Sequence, residues 1–299
     1  MRVNPFFVSD LVTSLDQTQL TQQQLTSELS SGVRVTSLSQ DPVAAEENVL
    51  LLNQLQRDDS FTQSCGLVQG QLQVGDSALG GVVAQLTQAI SLATSGNNGT
   101  LNPSQLQSIA NQLAGIRDEV LSLANTSYQG QYIFVGGSSG SSPFTTSSGT
   151  VPESTTYSGD SNVNYLQTPN GQTIQLNIPG DQIFPSGGSN STFQALNNLI
   201  ADFSTGAGVD VSVQDLQALN SALNFVSQQR VILDNSLTRL SAASDAATSE
   251  KMQLTVNQTD LMQADLPQIA TQLSLAKTQQ SALEGVIAQL GSGSLFDKL

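Results

Sequence analysis

The residues best suited to chemistry in this chain are acidic residues in adjacent pairs. These pairs are Glu46-Glu47, Asp58-Asp59 and Asp118-Glu119. General acid–base catalysis needs groups that reach the reacting atoms of one substrate. All three pairs fall in segments with helical periodicity, where neighbouring side chains point about 100° apart. The two carboxylates of a pair therefore do not converge, and we predict solvated helix surface instead of an active site.

Nucleophiles and metal ligands are scarce. The 299-residue chain has no histidine, which excludes histidine-dependent triads and histidine-containing zinc sites. The single cysteine, Cys65, cannot form an internal disulfide, and its helical surroundings indicate a small buried residue. No metal-ligand spacing and no phosphate-binding Gly-Lys-Ser/Thr sequence occurs. We therefore expect no catalytic residue, no cofactor site, no metal site and no enzyme activity.

The distribution of charge bears on which kinds of molecule the chain can bind. Nine Lys and Arg residues stand against 24 Asp and Glu residues, giving a net charge of −15, and no basic residue lies between Asp118 and Gln229. Affinity for nucleic acid depends mainly on basic side chains that neutralise phosphates, so nucleic-acid binding is excluded. The first residues do not resemble a cleaved signal peptide, and no apolar run approaches the ~18 residues of a membrane span, so we expect no membrane insertion.

Long helices are predicted on both sides of the chain's middle. Asp41 is placed to cap a helix whose first residue is Pro42, and this helix extends to the turn at 96–99. Heptad positions starting at Leu216 and ending at Leu261 are apolar in ten of fourteen cases. Helix starts are also predicted at Asn102-Pro103 and at Thr192. A helix of some fifty residues is roughly 80 Å long, which favours an elongated arrangement.

The middle of the chain has the signature of a small β domain. Alternating runs at 131–135, 162–166 and 172–178 predict strands, and Asn170-Gly171 predicts a hairpin turn. The predicted fold class is mainly α with a small inserted β domain, a long antiparallel helical rod resembling a coiled-coil bundle and built from both chain ends. The predicted domains are terminal arms at 1–40 plus 265–299, a long-helix core at 41–130 plus 190–264, and an outer β domain at 131–189.

Each end of the chain carries its own heptad stripe, which predicts an assembly arm. The apolar positions of the two stripes are Val8, Leu11, Leu15, Leu25, Leu29, Leu266, Ile269, Leu273, Leu283, Ile287 and Leu290. Asp265 is predicted to cap a new helix after a break, because the last stripe is offset by one position. Gln22 and Gln280 interrupt the stripes, where buried polar residues can set the register of a coiled coil.

One arm alone buries too little apolar surface to offset the conformational entropy of ordering its chain. We therefore expect the arms to be poorly ordered in the free monomer and to become ordered by packing against neighbouring copies. The alternative is that both stripes are ordinary core-facing helices of a single bundle.

Three segments together resemble the flagellin superfamily. They are LSSGVRVTSLSQDPVAA at 29–45, NTSYQGQYIFVGG at 125–137 and the carboxyl-terminal segment at 265–299. The residues that match the family motifs are Ser30, Ser31, Gly32, Arg34, Asp41, Pro42, Asn125, Thr126, Gly130 and Tyr132. Gln40 stands where the family usually has Asp. The sequence at 40–45 and the closing 294–297 favour the superfamily member that joins the hook to the filament.

The resemblance implies a structural subunit of the extracellular bacterial flagellum. Many copies would form a junction ring, with a hook-associated protein on the hook side and flagellin on the filament side. It also implies export by the flagellar type III apparatus without a cleaved signal, and an export chaperone on the carboxyl arm. A filament-forming flagellin is the alternative, and a secreted adhesin is a weaker one.

The motif residues have structural alternatives to a role in assembly. Arg34 either pairs across subunits or is a solvated arginine of a turn. Asn125, Gly130 and Tyr132 are predicted to shape the crossing from helix to strand, since glycine accepts the positive φ that such turns often need.

Overall fold

The computed structural model describes residues 7–97, 100–137, 140–147, 154–187, 191–205 and 213–292. Its elements in chain order are α1 Phe7–Ser31, α2 Pro42–Gly96, α3 Pro103–Ala124, β1 Ser127–Tyr128, β2 Gln131–Tyr132, β3 Phe144–Thr146, β4 Thr155–Tyr157, β5 Tyr165–Gln167, β6 Thr173–Gln175, α4 Gly180–Ile183, α5 Thr192–Ser204, α6 Val213–Met262 and α7 Leu266–Ser292. The fold is mainly α with short antiparallel strands, as predicted.

The chain divides into two compact units. The terminal unit comprises Met1–Arg57 together with Glu250–Leu299, and the central unit comprises Asp58–Ser249. The three-part division predicted above differs from this one, because the β strands and the helices around them fall within a single central unit.

The helices begin where the sequence places their caps. The side chains of Asp41 and Asp265 each accept a hydrogen bond from the backbone N–H three residues later, at 3.0 and 3.1 Å. Asn102 and Gln105 form a reciprocal capping box at the start of α3, with two bonds of 2.9 Å. These bonds satisfy backbone N–H groups that have no partner inside the helix. The predicted break before α7 is confirmed.

Seven-residue spacing fixes which faces of α2 and α6 enter the core of the central unit. From 65 to 93 in α2 and from 219 to 247 in α6, every seventh residue is at most 3% exposed. These residues are Cys65, Leu72, Leu79, Leu86 and Ala93 in α2, and Leu219, Val226, Leu233, Leu240 and Ala247 in α6. Side chains of α3, α5 and the strand region join them in one hydrophobic cluster. Cys65 is the small buried residue predicted, and burial raises the pKa of its thiol.

Glycine allows one close helix contact in this core. A Cβ on Gly96, the last residue of α2, would lie only 2.5 Å from Phe203 Cε1 of α5 and 3.1 Å from Ile109 Cδ1. Contacts so short are sterically excluded, so the absence of a side chain at Gly96 lets the Phe203 ring pack against the end of α2.

The strands form three separate two-stranded antiparallel ribbons. In the first, Tyr128 pairs with Gln131 across a two-residue turn in which Gln129 and Gly130 both have positive φ, 51° and 80°. In the third, β5 and β6 flank the Asn170-Gly171 turn, so that predicted hairpin is confirmed. The second ribbon joins β3 to β4.

The strand predicted at 131–135 is shorter than expected. It stops at Tyr132, and the next three residues, Ile133, Phe134 and Val135, are all buried. A strand with one solvated face alternates between buried and exposed side chains. Three consecutive apolar residues instead enter the core of the central unit, and the ladder ends.

Candidate assembly surface

The terminal helices α1 and α7 pack against each other in an antiparallel pair. Leu25 of α1 lies in a small apolar cluster with Ile269 and Leu273 of α7 and with Ala264. One turn further along, the Gln22 side chain Nε2 donates a hydrogen bond to the backbone oxygen of Ala276, at 3.0 Å. Residue numbers rise on one helix as they fall on the other. The two predicted arms thus contact each other within one chain.

Most of the predicted stripe follows the covered side of this pair. In α1, Leu11 and Leu15 are half-buried and Leu25 is buried. In α7, Ile269 is buried, and three further stripe residues are half-buried, namely Leu273, Leu283 and Ile287. The side chains of Val8 and Leu290 lie outside the described residues. Three stripe residues, Leu25, Ile269 and Leu273, belong to the cluster between the helices, and the role of the stripe in assembly stays a prediction.

The predicted stripe and the buried positions differ at the end of α1 and at the start of α7. Leu29 is 38% exposed and Leu266 is 45% exposed, whereas Glu28 is 7% exposed. Glu28 Oε1 accepts a hydrogen bond from Gln24 Nε2 at 2.9 Å, which satisfies part of the buried carboxylate. Neither exposed leucine belongs to the α1–α7 cluster, so both remain available to other contacts.

The turn after α1 is joined by backbone bonds to the break between α6 and α7. Gly32 has a φ of 69° and closes α1 by donating its N–H to the Glu28 oxygen, as glycine commonly does after a helix. Its own oxygen accepts from Ala264 N at 3.0 Å, and Arg34 N donates to the Met262 oxygen at 2.8 Å. The Ser30-Ser31-Gly32 motif segment therefore ends α1 where the chain meets this break.

Arg34 finds its carboxylate partner within the same chain. Its Nη1 lies 3.1 Å from Asp41 Oδ2, and its Nη2 donates to the Leu261 oxygen at 3.3 Å. The Ala44 N–H and then the Arg34 guanidinium hold the pKa of Asp41 below its usual value. Both side chains are substantially exposed, so the pair adds little stability and serves mainly to orient the turn.

Gln40 organises the loop between α1 and α2, a role that the sequence did not reveal. Its Oε1 accepts hydrogen bonds from Thr36 N at 2.8 Å, Thr36 Oγ1 at 3.0 Å and Ser37 N at 3.2 Å. One amide oxygen thereby closes a tight turn just before the α2 cap. The only signal in the sequence is that Gln40 departs from the family pattern.

The second group of motif residues shapes the exit from α3. Asn125 bonds the backbone of Phe144 twice, donating to its oxygen at 2.8 Å and accepting from its N–H at 2.9 Å. Thr126 follows at the helix end, Gly130 lies in the positive-φ turn, and Tyr132 closes the first ribbon. These contacts match the predicted role in the crossing from helix to strand.

Exposed apolar side chains are concentrated in the terminal unit. Of the seventeen large hydrophobic residues that are exposed in the described part of the chain, thirteen belong to it. They are Val12, Leu20, Leu29, Leu38, Val43, Val49, Leu50, Leu52, Met252, Val256, Leu266, Leu275 and Val286. The same unit contributes only seven of the forty-three buried hydrophobic residues. This excess of uncovered apolar side chains makes the terminal unit the candidate interaction surface.

Most residues of the carboxylate pairs are exposed. Glu46, Glu47 and Asp59 are exposed, and Asp118 pairs with the neighbouring Arg117 at 2.8 Å. Asp58 corrects the expectation of solvated surface, because it is 3% exposed at the heptad position seven residues before Cys65. Within the described ranges, no cluster of three acidic, Cys or His side chains has the arrangement to hold a metal ion. None of the described helices is long and apolar enough to span a membrane.

A family model and two known proteins match most of this chain between them. Residues 8–139 match the family model of the bacterial flagellin N-terminal helical region. The chain is 28% identical over 269 residues to flagellar hook-associated protein 3 of Salmonella typhimurium strain LT2, covering 81% of this chain and 83% of that protein. It is 24% identical over 291 residues to the Escherichia coli K12 protein of the same name, covering 90% of each.

The fold is shared with a solved structure. The crystal structure of the flagellar junction protein FlgL from Legionella pneumophila matches with a TM-score of 0.60 at 14% identity, covering 72% of this chain and 99% of that one. At such low identity the match concerns the fold alone. Taken together, these comparisons show that the chain is similar over residues 8–139 to the flagellin N-terminal helical region and over most of its length to proteins named flagellar hook-associated protein 3.

Proposed function

We propose that this chain is a structural subunit of the bacterial flagellum and forms the junction between hook and filament. The observation that carries the proposal is the similarity over 81–90% of the chain to two proteins named flagellar hook-associated protein 3. The similarity extends over 83–90% of the length of those relatives as well.

The terminal unit supports a role in assembly. It holds thirteen of the seventeen exposed large hydrophobic residues, and neighbouring copies would cover them in a ring. In this proposal the paired helices α1 and α7 form the arms, a hook-associated protein lies on one side of the ring and flagellin on the other. The subunit reaches the cell exterior through the flagellar export apparatus, and a chaperone covers the carboxyl arm until export.

Deletion of the gene is the decisive experiment. A junction subunit predicts hooks without filaments and free flagellin in the medium, with filaments restored by a plasmid copy. In sheared filaments from wild-type cells, the protein should be a trace component. Normal filaments in the deletion strain would contradict the junction role, and a dominant band in sheared filaments would indicate a filament subunit instead.

Surface variants test the proposed arms directly. Leu20 and Leu275 are 65% and 64% exposed, so replacing both with Ser removes apolar surface at little cost to the isolated fold. We expect the double variant to be exported and to fail to restore filaments. The matched control is Tyr165→Ser, which removes a side chain with 61% exposure from β5 and should restore them. Equal restoration by both variants would contradict a role of these leucines in assembly.

A further inference from the structure

Two carboxyl groups meet where α5 ends and α6 begins. Asp202 lies in the last turn of α5, and Asp215 lies in the first turn of α6. Their side chains are hydrogen-bonded to each other, and Asn198 Nδ2 of α5 donates to Asp215 Oδ1 at 3.1 Å. Two ionised carboxylates are both acceptors, so a bond between them requires that one of the two holds a proton.

The two helix ends decide which carboxyl holds this proton. The first turn of a helix has a partial positive charge, which favours the negative form of Asp215. The last turn has a partial negative charge, which disfavours the negative form of Asp202. Burial of the half-buried Asp202 and the neighbouring charge of Asp215 raise the pKa of Asp202. The proton therefore belongs to Asp202.

The helices packed around the pair carry few charges. Phe203 packs at the end of α2, where Ile109 of α3 also lies. Residues 77–116 include both of these contacts and contain no charged side chain. The charges of α3 begin at Arg117, about 12 Å along the helix from Ile109. On α6, no further charged residue precedes Arg230.

The strand region brings its charges to the opposite end of α5. It meets this helix through Phe193, and its carboxylates Asp160 and Asp181 act there on Tyr157. Asp210, between α5 and α6 in the chain, lies outside the described residues. A proton on one carboxyl is therefore the direct way to relieve the repulsion between the two.

We propose that Asp202 and Asp215 form a pH-dependent link between the end of α5 and the start of α6. With the proton in place, Asp202 donates to Asp215 and holds the first turn of α6 against α5. When the proton passes to solvent at higher pH, the two negative charges repel each other and this turn opens. Leu219 in the next turn is 0% exposed and keeps the rest of the helix in the core. The inference concerns the central unit and does not depend on the proposed role in the flagellum.

Hydrogen exchange on the full-length protein tests the link. An acid whose pKa is raised by folding stabilises the folded contact below its ordinary value, 3.8 here, and this contribution is lost as the pH rises through the raised value. The amides of residues 217–219 bond the carbonyls of the first turn, so they report its opening. We expect their protection factors to fall about two- to fivefold between about pH 4 and pH 7, the scale of an interaction between partly exposed charges.

The variant Asp202→Asn replaces the proton by an amide. Its amide donates to Asp215 without titrating, so protection of residues 217–219 should stay at the acid level throughout. Asp245→Asn is the control, because Asp245 is exposed on the same helix, and it should keep the wild-type fall. Asp210→Asn should keep it as well. Carbon-13 NMR of the wild-type carboxyl groups provides a second measurement, in which Asp202 should titrate at higher pH than Asp245.

Four results would overturn the proposal. They are wild-type protection that does not fall, an equal fall in Asp202→Asn, loss of the fall in Asp210→Asn, and a carboxyl of Asp202 that titrates together with that of Asp245. If Asp202→Asn fails to fold, the carboxyl titration of the wild-type protein still decides.

Discussion

Gln22 and Ala276 fix the alignment of the two terminal helices. The Gln22 side chain spans from α1 to the backbone of α7 and donates to the Ala276 oxygen at 3.0 Å, one turn from the Leu25–Ile269 contact. Apolar heptad pairs tolerate slippage, whereas a directed hydrogen bond is satisfied in one register only.

Gln22→Ala should weaken the pairing of α1 with α7. Loss of one hydrogen bond typically costs about 0.5–1.5 kcal/mol, which corresponds to about two- to tenfold faster amide exchange in α1. The measurement is hydrogen exchange on the purified monomer, in which arms as poorly ordered as the sequence analysis expects would leave α1 unprotected even without the substitution. Gln23→Ala is the control, because the Gln23 side chain is exposed on the same helix. Equal exchange in the two variants would show that the bond contributes nothing to pairing.

The start of α2 should be sensitive to acid. Hydrogen bonding from the Ala44 N–H and the nearby Arg34 hold the pKa of Asp41 below 3.8, so its charged form is favoured in the folded state. A lowered folded-state pKa stabilises the protein above the ordinary value, and this contribution is lost as the pH falls through the lowered one. We therefore expect the Ala44 amide to lose protection below about pH 4.

The matched variant for this acid effect is Asp41→Asn. Asparagine also caps helices but does not titrate, so its Ala44 amide should show no such transition. A transition of the same midpoint in the variant would assign the acid sensitivity to another group. NMR of the backbone amides as a function of pH distinguishes the two cases.

Gly96→Ala should destabilise the central unit. The added methyl would overlap the Phe203 ring, and overpacking of a filled core typically costs ~1–3 kcal/mol. Gly115→Ala is the control, because a Cβ at Gly115 in α3 meets nothing within 4 Å. The control should gain ~0.5–1 kcal/mol from helix propensity. Thermal or denaturant unfolding measures both, and a stabilising Gly96→Ala would contradict the close contact.

Tyr157 should make folding sensitive to alkali. Burial, with smaller contributions from Asp181 and Asp160, raises the pKa of its phenol to about 12, although the Gly180 N–H opposes this. A raised folded-state pKa gives stability that is complete below the ordinary value near 10 and is lost as the pH rises toward 12. Unfolding free energy should therefore fall across this interval.

Phenolate absorbance and the variant Tyr157→Phe check this alkaline effect. A tyrosine ionisation step near pH 12 is expected, and that late step should vanish in the variant. The variant also loses the hydroxyl that donates to the Asp160 oxygen at 2.8 Å, so it should be less stable at neutral pH. Retention of the late step in Tyr157→Phe would assign it to another tyrosine.

The sequence predicted the helical part of the fold well because helices follow local rules. The caps at Asp41, Asn102 and Asp265 were recognisable from residue type and position alone. The prediction of the buried stripe was less accurate at its ends. In α1, Leu29 was predicted to be buried but is exposed, and the neighbouring Glu28 is buried instead. A straight helix has 3.6 residues per turn, so a strict seven-residue pattern drifts by about 20° each heptad.

The strand region and the loops were harder to predict. Whether Ile133 and Phe134 continue a strand depends on the distant core residues with which they cluster, not on their own alternation. The bonds to Gln40 come from Thr36 and Ser37, only three or four residues away, but this turn has no repeating pattern. The two bonds between Asn125 and Phe144 likewise join segments that are brought together only in the folded chain. Long-range contacts of this kind leave no periodic trace in a single sequence.

The short length of the ribbons affects how neighbouring molecules can pack together. Each strand has only two or three residues, and every ribbon has two outer edges. Long unpaired edges invite strands of other molecules to add to them, which leads to aggregation. Because these edges are short, they have few unpaired backbone N–H and C=O groups. Neighbouring molecules can therefore pack side by side without forming strand pairs between them.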